Sequence, residues 1–299
     1  MINQWILAAF ACLLGTSSLL ADEIAQTRCV VDDKRRQICL DRPAQRIATL
    51  SPGATELMFA AGGGDQVVAV VAYSDYPLEA QQRESLGSHT RLDIEKLFAL
   101  QPDLVIAWVT GNPAEQMERL EALGLNVFYL EPRRFADVSS TLLRLAHLAG
   151  SDDVGQQVAQ AFEEGINSLQ QRYQNASPVR VFYQVWNDPI MSVNHEHLIH
   201  QVIELCGGEN VFADLPRMIP RLDTESILSA NPEAILAGGM GEENQAWLDH
   251  WQQYPHLKAT ADQNLYFIPP SLIQRPTPRL LQGAERFCQA LDEARAKRQ

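Results

Sequence analysis

The chain lacks an apolar run long enough to cross a bilayer as a helix, any Lys or Arg before Arg28, and any pair of cysteines in C-x-x-C spacing. The first absence argues against a spanning helix. The third argues against a tight thiolate metal site. The enzyme signatures are missing too: there is no G-x-S-x-G elbow, no dinucleotide fingerprint and no Walker A sequence. Three consecutive glycines at 62–64 follow a helix-like stretch and precede a strand-like one, whereas a phosphate loop follows a strand and opens a helix. Positive charge is short as well. Lys and Arg number 24 against 37 Asp and Glu, giving a net charge of -13 and a pI near 5.0, which argues against nucleic acid and anionic membrane surfaces as partners.

What is present is ample apolar material. With 299 residues and 46% apolar content, the chain can build two modest domains with real cores. Residues 6–14 are apolar, small and polar residues follow, and Ala21 suits a secretory cleavage point. A signal peptide over 1–21 is therefore expected, although its usual basic start is missing. A lipoprotein route through Cys12 is the alternative. Cleavage would leave Cys29, Cys39, Cys206 and Cys288. An even count in an exported chain suggests two disulfides, with three possible pairings. Cys29 and Cys39 flank a polar stretch that reads as a hairpin tip, which pairs them with each other. Cys206, at a helix end, and Cys288, in the last helix, are then expected to pair.

A thirteen-residue pattern occurs twice. Residues 95–107 and 225–237 each describe a short helix, a proline stop and a buried strand, and Asp93 and Asp223 stand two residues before the copies. Two similar half-molecules explain this better than chance, and two lobes imply a cleft. The repeat also sets Glu95 and Glu225 at the same place on each lobe, where a two-fold partner could read them. Each also suits a helix start, beside the positive end of its dipole.

Around the repeat, strands apolar on both faces alternate with helices, as in a mostly parallel sheet covered by helices. Strands are expected at 46–50, 67–73, 104–108 and 126–130, and again at 180–184, 234–237 and 265–268. Residues 51–54 read as a turn. Helices are expected at 55–61, from Pro113 to Gly124, at 135–148, 197–205, 242–251 and 278–297. Between the halves, Val154, Val158, Phe162, Ile166, Leu169 and Tyr173 recur at helical steps behind a Ser151 cap. One helix of about 24 residues, roughly 36 Å long, is expected there. No Gly/Ser-rich linker accompanies it, so it would form a stiff spine; an ordinary surface helix of the first lobe is the alternative. The expected divisions are a signal peptide at 1–21, an extension with a hairpin at 22–44, an α/β lobe at 45–150, a linker helix at 151–176 and a second α/β lobe at 177–299.

Several stretches carry a family resemblance: Leu50-Ser-Pro-Gly-Ala-Thr-Glu56, Tyr73-Ser-Asp-Tyr-Pro77, Pro102-Asp-Leu-Val-Ile-Ala-Trp108 with Gly111-Asn112, Cys206-Gly-Gly-Glu-Asn-Val-Phe212 and Pro278-Arg279. From Arg46 to its end the chain resembles the periplasmic cobalamin-binding proteins of ABC importers, within the larger group that carries siderophores, haem and cobalamin. The resemblance implies the helical-backbone periplasmic binding fold, two Rossmann-like lobes joined by one long helix, and a second-lobe disulfide at Cys206 and Cys288. It implies no catalysis and no resident cofactor. The protein would be a monomeric periplasmic carrier of cobalamin that docks on a permease dimer driven by cytoplasmic ATPases.

The same resemblance implies roles for single residues. Tyr73 and Trp108 match aromatic residues of one cleft wall, and a ring buries large apolar area at little entropy cost. Trp186 and Asn187 are candidates for the opposing wall, and Arg275 matches a polar cleft residue suited to corrin amides. Glu95 and Glu225 match two glutamates that pair with permease arginines. Where the best-known members have cleft tryptophans, this chain has His89, Ile219 and Leu272. His89 could meet a metal centre or stand as a polar rim residue. Haem or a ferric siderophore is the alternative cargo, with His89 and Tyr73 as candidate axial ligands and Arg91, Arg217, Arg221 and Arg275 as candidate basic groups. An alternative of another class is a zinc hydrolase or zinc carrier built on His195, His197 and His200; solvated residues at a helix start are its bland counterpart.

Overall fold

The computed structural model describes residues 27–238, 241–243 and 245–298. The expected signal peptide lies outside these residues. The described chain opens with an antiparallel hairpin, β1 (Arg28–Val31) and β2 (Gln37–Leu40), whose register sets Cys29 opposite Cys39. The two are disulfide-bonded. Asp32 shapes the tip by accepting the Lys34 and Arg36 amides at 2.9 Å.

The first lobe comprises β3 (Ile47–Thr49), α1 (Pro52–Ala60), β4 (Val67–Val70), β5 (Glu84–Ser85), a small hairpin of β6 (Gly87–Ser88) and β7 (Arg91–Leu92), α2 (Ile94–Ala99), β8 (Leu104–Trp108), α3 (Ala114–Ala122) and β9 (Val127–Leu130). Its parallel sheet runs β5-β4-β3-β8-β9. Residues 51–54 are the start of α1 and not a turn. Ser51 accepts the Ala54 amide at 3.1 Å, and Pro52 fills the first helical position, where its missing N–H costs nothing.

Two helices follow, α4 (Phe135–Ala149) and α5 (Asp152–Tyr173). The second lobe contains β10 (Val179–Gln184), the hairpin of β11 (Trp186–Asn187) and β12 (Ile190–Met191), α6 (Leu198–Leu205), β13 (Gly208–Asn210), α7 (Thr224–Ala230), β14 (Ala234–Ala237), α8 (Ala246–Asp249), α9 (Lys258–Ala261), β15 (Leu265–Phe267), α10 (Pro270–Ile273) and α11 (Leu280–Ala296). Its parallel sheet runs β13-β10-β14-β15. The helix expected over 242–251 is only α8, continued by a 3-10 turn at His250–Gln253. No helix among the described residues is long and apolar enough to cross a membrane.

The repeated pattern is a repeated structure. In each lobe it supplies a short helix and the strand after it, β8 or β14, and the lobe's first strand lies between its second strand and that one. Asp93 and Asp223 cap α2 and α7, accepting the Lys96 and Ser226 amides at 2.9 and 2.8 Å. Gln101 and Asn231 then take left-handed backbone at φ 47 and 43°. The acid after each proline reaches back to its lobe's first strand: Asp103 accepts the Arg46 amide at 3.0 Å, and Glu233 accepts the Arg180 amide at 3.1 Å. Burial works against charge on Glu233, but Lys258, the Arg180 amide and Arg298 outweigh it and hold this carboxyl down at about 2.

The helix α5 has 22 residues, about 33 Å at helical rise. It packs against α1 and α4 of the first lobe and α6 and α11 of the second. Its buried stripe begins one residue later than the sequence suggests. Gly155 and Ala159 face inward while Val154 is exposed, because α4 crosses too closely for a branched side chain: a Cβ on Gly155 would stand 2.3 Å from the Ala146 Cβ. Ser151 makes no side-chain cap; its hydroxyl donates to the Ala61 carbonyl at 2.6 Å and ties α5 to the end of α1. One core runs unbroken from Leu57 and Leu142 through Phe162 and Ile166 to Val181 and Leu291. Each sheet turns its other face to a separate core, around Leu97 and Val105 in the first lobe and around Ile227 and Ile235 in the second.

Candidate functional site

The candidate ligand residues cluster where parallel strands end. This is where open α/β sheets bind ligands, in the crevice beyond the carboxyl ends of the strands. Tyr73 lies three residues after β4, is 80% exposed and has left-handed backbone at φ 67°. Trp108 ends β8 and is half-buried. His89, at the tip of the β6–β7 hairpin, sets its ring 5.9 Å from that of Trp108. Asn112 holds this corner together. Its carboxamide accepts the Trp108 amide at 2.7 Å and donates to the carbonyls of Leu50 at 2.9 Å and His89 at 2.8 Å. Gly111 must be glycine here, since a Cβ would stand 1.8 Å from Trp108 Cε3.

On the second lobe, Trp186 and Asn187 form β11, directly after β10. The Trp186 ring meets Trp247 edge-on at 5.8 Å, and its indole N–H donates to the Asp188 carbonyl at 3.1 Å. Asn187 accepts from Gln184 at 3.0 Å. Among the described residues these two make no hydrogen bond or ring contact with Tyr73, His89 or Trp108. Ile219 is exposed, whereas Leu272 is buried.

Arg275 does reach across. Its guanidinium donates to Asp75 at 2.7 Å and to the Tyr73 carbonyl at 3.1 Å. Behind it, the buried Glu56 accepts from Thr277 at 2.5 Å and twice from Arg279 at 2.8 Å. Glu56, Asp75 and Thr277 have no individual signal in the sequence. Glu56 and Arg279 fall in two of the family-like stretches, but nothing local says that they meet. Two surface hollows, of about 420 Å³ along α5 and about 380 Å³ beside Leu228 and Tyr254, contain none of the candidate ligand residues.

Glu95 and Glu225 are exposed on α2 and α7, over the faces turned away from the shared core. No hydrogen bond or ion pair engages either carboxylate among the described residues. The three histidines of the 195–200 cluster take separate partners. His195 Nδ1 meets the Ala213 carbonyl at 2.8 Å, His197 Nδ1 accepts the Ile199 amide at 3.1 Å as the cap of α6, and His200 faces Glu204 at 3.3 Å. No group of three His, Cys, Asp or Glu among the described residues could hold a metal ion. The zinc alternative therefore has no common ligand set. Cys206 and Cys288 are bonded to each other, joining the end of α6 to α11.

Residues 47–272 match the periplasmic binding protein family, Peripla_BP_2. The vitamin B12-binding protein of Vibrio cholerae is 35% identical over 246 residues, which cover 82% of this chain and 88% of that protein. The vitamin B12-binding protein of Yersinia pestis is 34% identical over 83% of this chain and 86% of its own length. Among solved structures, the periplasmic vitamin B12 binding protein BtuF of Vibrio cholerae superposes with a TM-score of 0.78 at 34% identity, covering 85% of this chain and 98% of that one. The periplasmic heme-binding protein RhuT of Roseiflexus shares the fold, with a TM-score of 0.75 at 22% identity over 84% of this chain and 99% of its own. With two parallel-sheet lobes on one helical spine and relatives matched over most of its length, this chain belongs to the periplasmic binding protein family and is a homologue of the vitamin B12-binding proteins.

Proposed function

We propose that this chain captures cobalamin between its two lobes and hands it to an ABC importer. The observation that carries the reading is the similarity to vitamin B12-binding proteins over more than four-fifths of the chain. Family membership makes the protein a periplasmic carrier and not an enzyme. Tyr73, His89 and Trp108 form one wall for the corrin, and Trp186, Asn187 and Arg275 form the other. Flat aromatic faces suit the broad face of a corrin macrocycle, and the amide and guanidinium groups suit its polar rim.

The carrier then presents Glu95 and Glu225 to a permease dimer, one carboxylate to each subunit. Their equivalent places on the repeated helices, their exposure and the absence of an internal partner for either among the described residues support this reading. A charge-paired, wettable contact favours steering and reversible release over maximal affinity. Calorimetric titration with cyanocobalamin tests the first half: a saturable one-to-one isotherm is expected, and a Soret shift with haem but no heat with cobalamin would reject it. Charge reversal of both glutamates tests the second: uptake should fall while affinity stays unchanged. Lost affinity would place the pair in the cleft instead.

A further inference from the structure

Glu56 poses a problem that the first lobe does not solve by itself. It lies in α1 and is 2% exposed. A buried carboxylate is costly unless paired and hydrogen-bonded. Every partner recorded for its side chain among the described residues comes from the segment before α11: Thr277, both forks of Arg279, and Arg275 at 3.6 Å. Thr277 is fully buried, and the Arg279 guanidinium also lies 3.8 Å over the Tyr76 ring.

The network continues from there into the candidate site. Arg275, whose Nη1 lies 3.6 Å from Glu56, donates through that same Nη1 to Asp75 and through Nη2 to the Tyr73 carbonyl. Tyr73 is a non-glycine residue in left-handed backbone, an unfavourable conformation that persists where the surroundings enforce it. Its side chain is nonetheless 80% exposed, so it does not hold that backbone by packing. A buried ion pair is a poor device for stability alone, because apolar residues of the same shape do as well or better. Its distinctive property is fixed geometry.

We propose that Glu56 is a positioning residue of the ligand site: through the 275–279 segment it clasps the lobes together and fixes Arg275 and Tyr73 for the cargo. The idea rests on the cobalamin reading for its ligand but not for its structural effect. Cyanocobalamin titrations of Glu56→Gln, Arg275→Ala and the double variant test it as a cycle. Each single change should weaken binding about tenfold, and the double variant should bind within about twofold of Arg275→Ala. Losses that multiply would make Glu56 a general stabiliser, and unchanged affinity in Glu56→Gln would dismiss it; either result overturns the proposal. If Glu56→Gln does not fold, Thr277→Val replaces it, removing one donor while leaving the charges paired, with about a threefold loss expected and the same non-additivity. Hydrogen exchange of the ligand-free proteins gives the independent readout. Amides at 72–76 should exchange at least about fivefold faster in the variant, and unchanged protection there overturns the proposal. A wild-type chain that takes up no cobalamin would sink the ligand reading alone, and exchange would then decide the clasp.

Discussion

Asn112 is 5% exposed and bonds three separate pieces of backbone, from β8, the end of β3 and the β6–β7 hairpin. Its amide provides both a donor and an acceptor, a combination that neither Asp nor Leu reproduces. Asn112→Ala should leave the Leu50 carbonyl short of a partner in the core and free the His89 tip. We expect a stability loss of at least about 2 kcal/mol, read by urea unfolding, with altered tryptophan fluorescence as Trp108 shifts. A loss under about 0.5 kcal/mol would mean that water replaces the carboxamide without cost.

At the element scale, α6 begins on a histidine cap. His197 Nδ1 accepts the Ile199 amide, which requires that nitrogen to be unprotonated. Burial, helped by the charge of Arg133, pushes the imidazole down to about 4 from its ordinary 6.5. The unfolded chain therefore takes up a proton near pH 6.5 while the folded chain stays neutral until about pH 4. The resulting stability is complete above pH 6.5 and is lost as pH falls toward 4. Between pH 7 and pH 5 the expected loss is about 2 kcal/mol, and His197→Asn, which keeps a side-chain acceptor at the cap, should flatten that slope. Denaturant titrations at the two pH values measure it. The carboxylate of Glu233 acts in a separate window, since its stabilisation is lost only as pH falls from about 4.5 toward 2.

At the scale of the molecule, the lobes share one core through α5. Tyr173 donates to Asp292 at 2.8 Å and the Phe135 amide donates to Gln201 at 3.2 Å, so polar contacts tie the spine and first lobe to the second beside the apolar ones. Hinge opening would expose that core, whereas a pair of solvated linkers would bend at little cost. Scattering profiles with and without ligand should give radii of gyration within about 1 Å of each other. A larger closure would show that the shared core is no spine.

The linear sequence determined what repeats locally and periodically. Strands Leu104–Trp108 and Ala234–Ala237 stand where the apolar runs place them. The capping aspartates, the proline stops and the twin glutamates are likewise visible in the residues, because each depends on neighbours a few positions away. The edge strand Gly208–Asn210 is not visible, since glycine and polar residues there become a strand only by pairing with β10. The same limit applies along the spine, where periodicity favours Val154 but close helix packing selects Gly155. It applies most strongly to Glu56 and Arg279, which are 223 residues apart and joined by two hydrogen bonds. A carboxylate inside a helix reads as solvated until a second lobe folds over it, and that contact exists only in the tertiary structure.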